Sequence, residues 1–237
     1  MTVITEEGGF IGAKPDWFGK RSGVWSLQDQ YDLQKNYRWP IPLGTEIAGG
    51  YFGGYITYNT NGSDSWLSGS ATASYLLIVA PKASGESSTT LQYKTSATCD
   101  GAESNQTSSQ SVWDGYHNTY NSVVGTSSVH PAANFCQGLN IAGYTDWYLP
   151  AQREATVAFG NLDGLPLWAS NGSEEFERSG SSVGNVGLYW HSTGDSCENT
   201  GTLGGAGAFY IDNFSIAGYS KTETFWVRAI RRIPYPI

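Results

Sequence analysis

Two short helical patterns in succession, followed only by strand patterns, constrain this chain more than any other feature. In Pro131–Leu139, the residues Ala132, Phe135, Cys136 and Leu139 recur at spacings of three and four, which draws one apolar stripe along a helix. Pro131 suits the first helical position, and Gly143 lies just past the end. A second helix is predicted from Gln152 to about Phe159, with Ala155, Phe159 and Leu162 facing inward and Gly160 ending it. Beyond residue 163 the pattern turns to strand. The candidates are 187–193, 208–214 and 224–232, joined by glycine-rich loops at 193–207 and 215–223. Helices followed by a three-stranded return point to an α+β arrangement and away from a repeating βαβ unit.

Upstream, the aromatic and glycine-rich stretch from Gly49 to Tyr58 reads as a strand with close backbone approaches. Tyr75–Ala80 is a continuous apolar run, the mark of a strand buried on both faces. Thr89–Lys94 alternates as a further strand, and 95–112 reads as a long polar loop. Residues 1–24 lack periodicity and read as an extended arm. Ser26 and Asp29 stand where a capping box begins a helix that runs to about Lys35, stopped by Trp39-Pro40 and Pro42. So short and polar a helix needs a surface to dock on. The expected division is therefore an arm with a docking helix at 1–44 and one domain at 45–237. Trp25, Leu27, Tyr31 and Trp39 are the candidate docking residues.

Charged residues make up only 14% of the chain against about a quarter in a typical soluble domain, so Ser, Thr, Asn, Gly and Tyr must build much of the surface. That composition suits a protein exposed outside a cell. The formal charge of −8 argues against nucleic acid as a partner. Basic residues gather only at Arg228, Arg231 and Arg232, where a terminal strand with solvated or paired arginines is expected. No apolar run approaches the roughly 20 residues of a membrane helix. Met1 to Gly9 lacks the basic and apolar regions of a signal peptide, so synthesis in a reducing host cytoplasm with mostly free thiols is expected. Cys99, Cys136 and Cys197 fit no zinc or redox spacing.

Four motifs then occur in a telling order: Ala132–Leu139 with its cysteine, Asp146-Trp147-Tyr148-Leu149-Pro150, Tyr189-Trp190-His191-Ser192-Thr193, and Phe225–Arg231. Over about residues 50–232 this resembles the C-type-lectin-like domain found at the C-terminus of bacterial collagen-like adhesins and in many phage virion proteins. The signature of that family runs DWxLP, a Glu-containing helix, YWSST and VRxVR. Upstream, Gly23–Gln30, Leu77–Lys82, Trp113–Thr119 and His130–Ala133 resemble marine phage structural proteins. The resemblance implies a lectin-like fold of two helices packed on an antiparallel sheet with long loops. It also implies a virion location. Two positions depart from the signature. Ala151 stands where a capping Ser or Thr is usual, although Glu154 keeps its place, and His191 replaces a serine. Half a capping box is thereby lost, at about 1 kcal/mol unless another group substitutes.

Asp146, Trp147, Pro150, Glu154, Trp190 and Arg228 are read as structural. Asp146 or Glu154 is expected to tie down backbone near the second helix. Trp147, Trp190 and Trp226 are expected in the core, and Arg228 half-buried against a carboxylate. The candidate ligand-binding residues are His191, Asp195, Glu198, Asn199 and Tyr210, on or beside a loop held between two strand motifs. A plain connecting loop is the competing reading. No cofactor is expected; Asp195 and Glu198 with carbonyl oxygens are the residues calcium would use, and two carboxylates in a loop are weak grounds for it. The related formylglycine-generating enzymes depend on paired active-site cysteines that this chain does not show. His117, His130 and His191 have no nucleophile elbow beside them, so no enzyme is expected. Two roles remain: host-surface attachment to a receptor or glycan within a tail fibre or tail tip, or a capsid or tail decoration or connector protein with an inert lectin-like fold. In either case the arm would meet other virion proteins, and self-association is open.

Overall fold

The computed structural model describes residues 41–59, 72–97, 111–121, 128–184, 186–194 and 205–235, together with the strands 10–13 and 22–25. Contacts separate Met1–Pro42, with Pro236 and Ile237, from a second unit, Leu43–Tyr235. In the first unit, β1 (Phe10–Ala13) pairs antiparallel with β2 (Ser22–Trp25), Phe10 opposite Trp25. The stretch read as an extended arm thus carries a strand pair, and four-residue strands are too short to leave a period in the sequence. The helix expected after Ser26, with Leu27, Tyr31 and Trp39, lies outside the described residues, and of Trp25 only the strand pairing is described.

The second unit mixes a few helices with mostly strands. Its larger sheet has the order β11-β5-β4-β3, all antiparallel: β3 (Glu46–Ile47), β4 (Gly50–Asn59), β5 (Thr72–Val79) and β11 (Ile230–Tyr235). The central strand β5 carries the apolar run, and Leu76 to Val79 are buried. A smaller sheet, β7-β8-β9, joins Leu188–Gly194, Gly205–Tyr210 and Ile216–Ser220. A pair of short strands, β6 (Leu91–Gln92) and β10 (Thr224–Phe225), completes the strand pairings outside isolated bridges among the described residues. The helices are a single turn, α1 (Lys82–Gly85), then α2 (Pro131–Gln137) and α3 (Gln152–Leu162), with a π-helical turn at His117–Asn121.

An aromatic core fills the space between α3 and the two sheets. Phe159 on α3 lies 5.0 Å from Phe176 and 5.8 Å from Phe209, centroid to centroid, and Trp168 lies 4.9 Å from Phe176. Edge-to-face and tilted contacts of this kind add to the burial of large rings. Gly53 on β4 brings α3 close: a side chain there would press on Ala158 at 3.0 Å.

Several strand boundaries move from those expected. Thr89–Lys94 shrinks to Leu91–Gln92. The strand expected at 208–214 begins at Gly205 and ends at Tyr210, and the expected loop at 215–223 contains β9. Both errors share a cause. Gly207 pairs with Gly218 and Ala208 with Ala217 across β8 and β9, and such small residues read as loop. The terminal stretch 224–232 is not one strand. Residues 226–229 leave the ladder, because Val227 N–H donates to Ser87 Oγ and Ala229 N–H to Gly85 O. Ile230 then joins β5 opposite Val79.

Candidate functional site

The motif residues converge on the last segment of the chain, which carries three arginines in different settings. Arg228 is completely buried, where the sequence suggested half-burial. Its Nε donates to Ala80 O at 2.7 Å, Nη1 to Glu86 Oε2 at 3.0 Å and Nη2 to Glu174 Oε2 at 2.5 Å. Its guanidinium lies 4.8 Å from the ring of Trp168. Each of the two carboxylates around this cation also has a second partner. Glu86 accepts the Tyr189 hydroxyl at 2.9 Å, and Glu174 accepts the Lys82 backbone N–H at 2.7 Å. Burial pushes the Glu86 carboxyl up, against the pull of Arg228.

Arg231 forms a two-point pair with Asp146: Nε to Oδ1 at 2.8 Å and Nη2 to Oδ2 at 2.9 Å. Its third donor, Nη1, reaches Ala48 O at 3.2 Å, and Tyr144 lies against the guanidinium. Asp146 therefore ties the start of its motif to the terminal strand, and Tyr148 continues the tie by exchanging backbone hydrogen bonds with Ile230. Pro150 passes its carbonyl to Ser192 N–H at 2.7 Å, which joins the second and third motifs directly.

Glu154 is fully buried at the first turn of α3. Its carboxylate accepts Ala151 N–H at 2.8 Å, Gly115 N–H at 3.0 Å and the Tyr148 hydroxyl at 2.8 Å. Burial raises this carboxyl to about 8; the charge of Asp114 adds to the rise, and the three donors oppose it. The side-chain cap missing at Ala151 is replaced. Thr193 Oγ1 accepts Gln152 N–H at 3.1 Å, and Val112 O accepts Arg153 N–H at 2.8 Å. The helix start is satisfied by partners more than 35 residues away in sequence, which no local motif reveals.

Trp147 and Trp190 are buried as expected, with Trp190 Nε1 donating to Leu91 O at 2.7 Å. Trp226 is only half-buried, a correction to its expected core position. It spans the gap to the loop at Gly180, and its Nε1 donates to Ser179 O.

Of the five candidate binding residues, His191 and Tyr210 fall within the described residues. Asp195, Glu198 and Asn199 lie outside the described residues, as do Cys99 and Cys197. Cys136 is a free, buried thiol on α2, its pKa pushed up by burial. His191 was expected at an exposed edge and is only 2% exposed. The register between β7 and β8 slips between Trp190 and Gly194, so residues 191–193 face Gly207 across a bulge. The ring of His191 fills the space that a side chain at position 207 would take. Neither ring nitrogen has a hydrogen bond of ordinary geometry among the described residues, and burial lowers its pKa to about 4 against an opposing contribution from the Thr193 backbone. An inward neutral histidine is packing, not a displayed ligand contact. Tyr210 is half-buried and spends its hydroxyl on that of Tyr219 across the β8–β9 pair.

A different group is partly open to solvent. Arg232 lies over the rings of Tyr75 and Tyr116, at 4.4 Å and 4.7 Å from their centroids. Its Nη1 donates to Asp114 Oδ1 at 2.7 Å and to the Tyr58 hydroxyl. Asp114 also accepts His117 N–H at 2.7 Å, which fixes the π-helical turn beneath it. Its carboxyl is raised by burial, and Arg232 is lowered to about 10 by the same cause. The sequence placed Arg232 only within a solvated or paired terminal cluster. Tyr75 at alternate spacing in β5, and the Trp113–Thr119 stretch, were the only signals for its surroundings.

Among the described residues, no group of three or more His, Cys, Asp or Glu side chains could hold a metal ion. No described helix is long and apolar enough to cross a membrane. No protein-family model matches the chain, and no curated protein matches it.

Proposed function

We propose that this chain is a non-enzymatic phage virion protein in which a C-type-lectin-like domain contacts a host-surface receptor or glycan, as part of a tail fibre or tail tip. The observation that carries this reading is that the signature side chains are spent on one another. Arg228 meets Glu86 and Glu174, Asp146 meets Arg231, and Glu154 binds the backbone at Ala151 and Gly115. Such a framework holds loops in place without doing chemistry itself. Loops rich in Ser, Gly, Asn and Tyr make adaptable contact surfaces, and this chain has 30 glycines and 15 tyrosines. The resemblance of the four ordered motifs to adhesin and virion domains adds the virion location. Residues 1–44 are the proposed docking segment toward other virion proteins.

The test has two arms, both with the full-length chain. Immunogold labelling should place it at the tail tip of intact particles, and an excess of purified protein should block adsorption of those particles to host cells. Label spread over the capsid, with adsorption unaffected, would replace attachment by a decoration or connector role.

A further inference from the structure

Resting on the attachment reading, we propose that the free edge of the Arg232 guanidinium is a docking point for the carboxylate of an acidic sugar. Three features of the side chain carry this. First, Nε and Nη2 have no hydrogen-bond partner among the described residues and are not sealed from solvent, while the side chain as a whole is 16% exposed. Those two N–H groups form the parallel pair that fits the two oxygens of one carboxylate. Second, the plane of the guanidinium is already set. Tyr75 and Tyr116 lie against it, and Asp114 and Tyr58 hold Nη1. A ligand therefore bears little of the cost of ordering the arginine. Third, the side chain is largely withdrawn from water yet still charged at neutral pH, so an ion pair formed at its edge is less screened than one on a free surface arginine.

The same surroundings narrow the ligand. The rings of Tyr75 and Tyr116 already serve the arginine, and Tyr75 also stacks on Tyr58 at 5.4 Å, so sugar-ring stacking on these faces is not the mode. Asp114 stands at the opposite edge and offsets the positive charge, and the chain carries −8 overall. A dense phosphate polyanion would be repelled. The planar carboxylate of one uronic-acid unit meets the open edge with both its oxygens, on the side away from Asp114.

The experiment titrates full-length protein with trigalacturonate, and with trigalactose as the neutral counterpart, by calorimetry and by ¹⁵N NMR of the arginine Nε–H groups. The expected result is binding of the uronate, a shift of the Arg232 Nε–H signal with those of Arg228 and Arg231 unmoved, and much weaker binding of the neutral sugar. R232K keeps the charge and loses the paired edge. It should weaken uronate binding by roughly ten- to a hundredfold, the value of a charged hydrogen bond. Because the NMR shift is read in the unaltered chain, it decides the question even if R232K unfolds. Equal binding of the neutral sugar, or uronate binding with an unmoved Arg232 signal, would overturn the inference. So would a glutamate-bearing peptide that binds tighter than the sugar, which would point to a protein partner. If trigalacturonate does not bind while the protein still blocks adsorption, this inference falls and the attachment reading stands.

Discussion

Arg228 and Arg232 sit four residues apart on the same terminal segment and show what separates scaffold from surface in this protein. Both lie against aromatic rings and both meet carboxylates. Arg228 places all three donor nitrogens, Nε, Nη1 and Nη2, on acceptors and is closed to water. Arg232 commits one and leaves an edge open. A buried charge survives only when its partners are complete, so the closed arginine has no capacity left for a ligand. The open one keeps its capacity because Tyr75 and Tyr116 give it order without using its donors. Paired charge alone does not tell the two apart; the count of engaged donors does.

The largest effect should come from breaking the closed arginine. R228A leaves Glu86 and Glu174 buried without their cation and should cost about 3–5 kcal/mol in denaturant unfolding. A cost below about 1 kcal/mol, the range of a surface pair, would erase the contrast.

Next comes pH. Glu154 is raised to about 8 from 4.5, so its protonated form is favoured in the fold. Its contribution is full below 4.5 and is lost as pH rises through 8. His191 is lowered to about 4 from 6.5, so its contribution is full above 6.5 and is lost as pH falls through 4. The two oppose each other between 4.5 and 6.5. Above 6.5 only Glu154 is left of the pair, and stability should drop by about 2 kcal/mol by pH 8. E154Q should flatten that upper limb, and H191L should remove the acid limb while leaving stability at neutral pH equal or higher, since an unsatisfied polar ring is replaced. An unchanged upper limb in E154Q would mean that Glu154 is ionised throughout.

G207A forces a methyl into the ring of His191 and should cost about 1–3 kcal/mol. H191A in the same chain should recover most of that loss, and no recovery would place the strain elsewhere. The smallest effect belongs to D146N. The Asp146 side chain is 41% exposed, so the pair with Arg231 should contribute about 0.2–1 kcal/mol by double-mutant cycle.

The sequence carried the helices and the buried strand well, because periodicity at Ala132–Leu139 and the apolar run at Tyr75–Ala80 are set by burial itself. It also carried the structural character of Asp146, Glu154 and Arg228, although not their partners. Those partners lie 85 residues from Asp146, and 54 and 142 residues from Arg228, and pairing across such distances leaves no local pattern. Small-residue strands were hidden for a related reason: Gly207 leaves room for the ring of His191 and pairs with Gly218 of β9, which only the fold brings together. Among the binding candidates, His191 was misplaced because loop position was taken for exposure. His191 is polar and precedes a glycine-rich stretch, yet the bulge turns it inward. Arg232 was hard to single out because its environment is made by Tyr58, Tyr75, Asp114 and Tyr116, from three separate segments.

The contrast between the two arginines is read most directly from exchange of their side-chain Nε–H protons with water, measured by NMR on the unaltered protein. The Arg228 proton, held by Ala80 O, should exchange only when the domain opens, while the Arg232 proton exchanges freely at the same pH. Equal protection of both, or rapid exchange at Arg228, would contradict the division between a closed scaffold and an open edge.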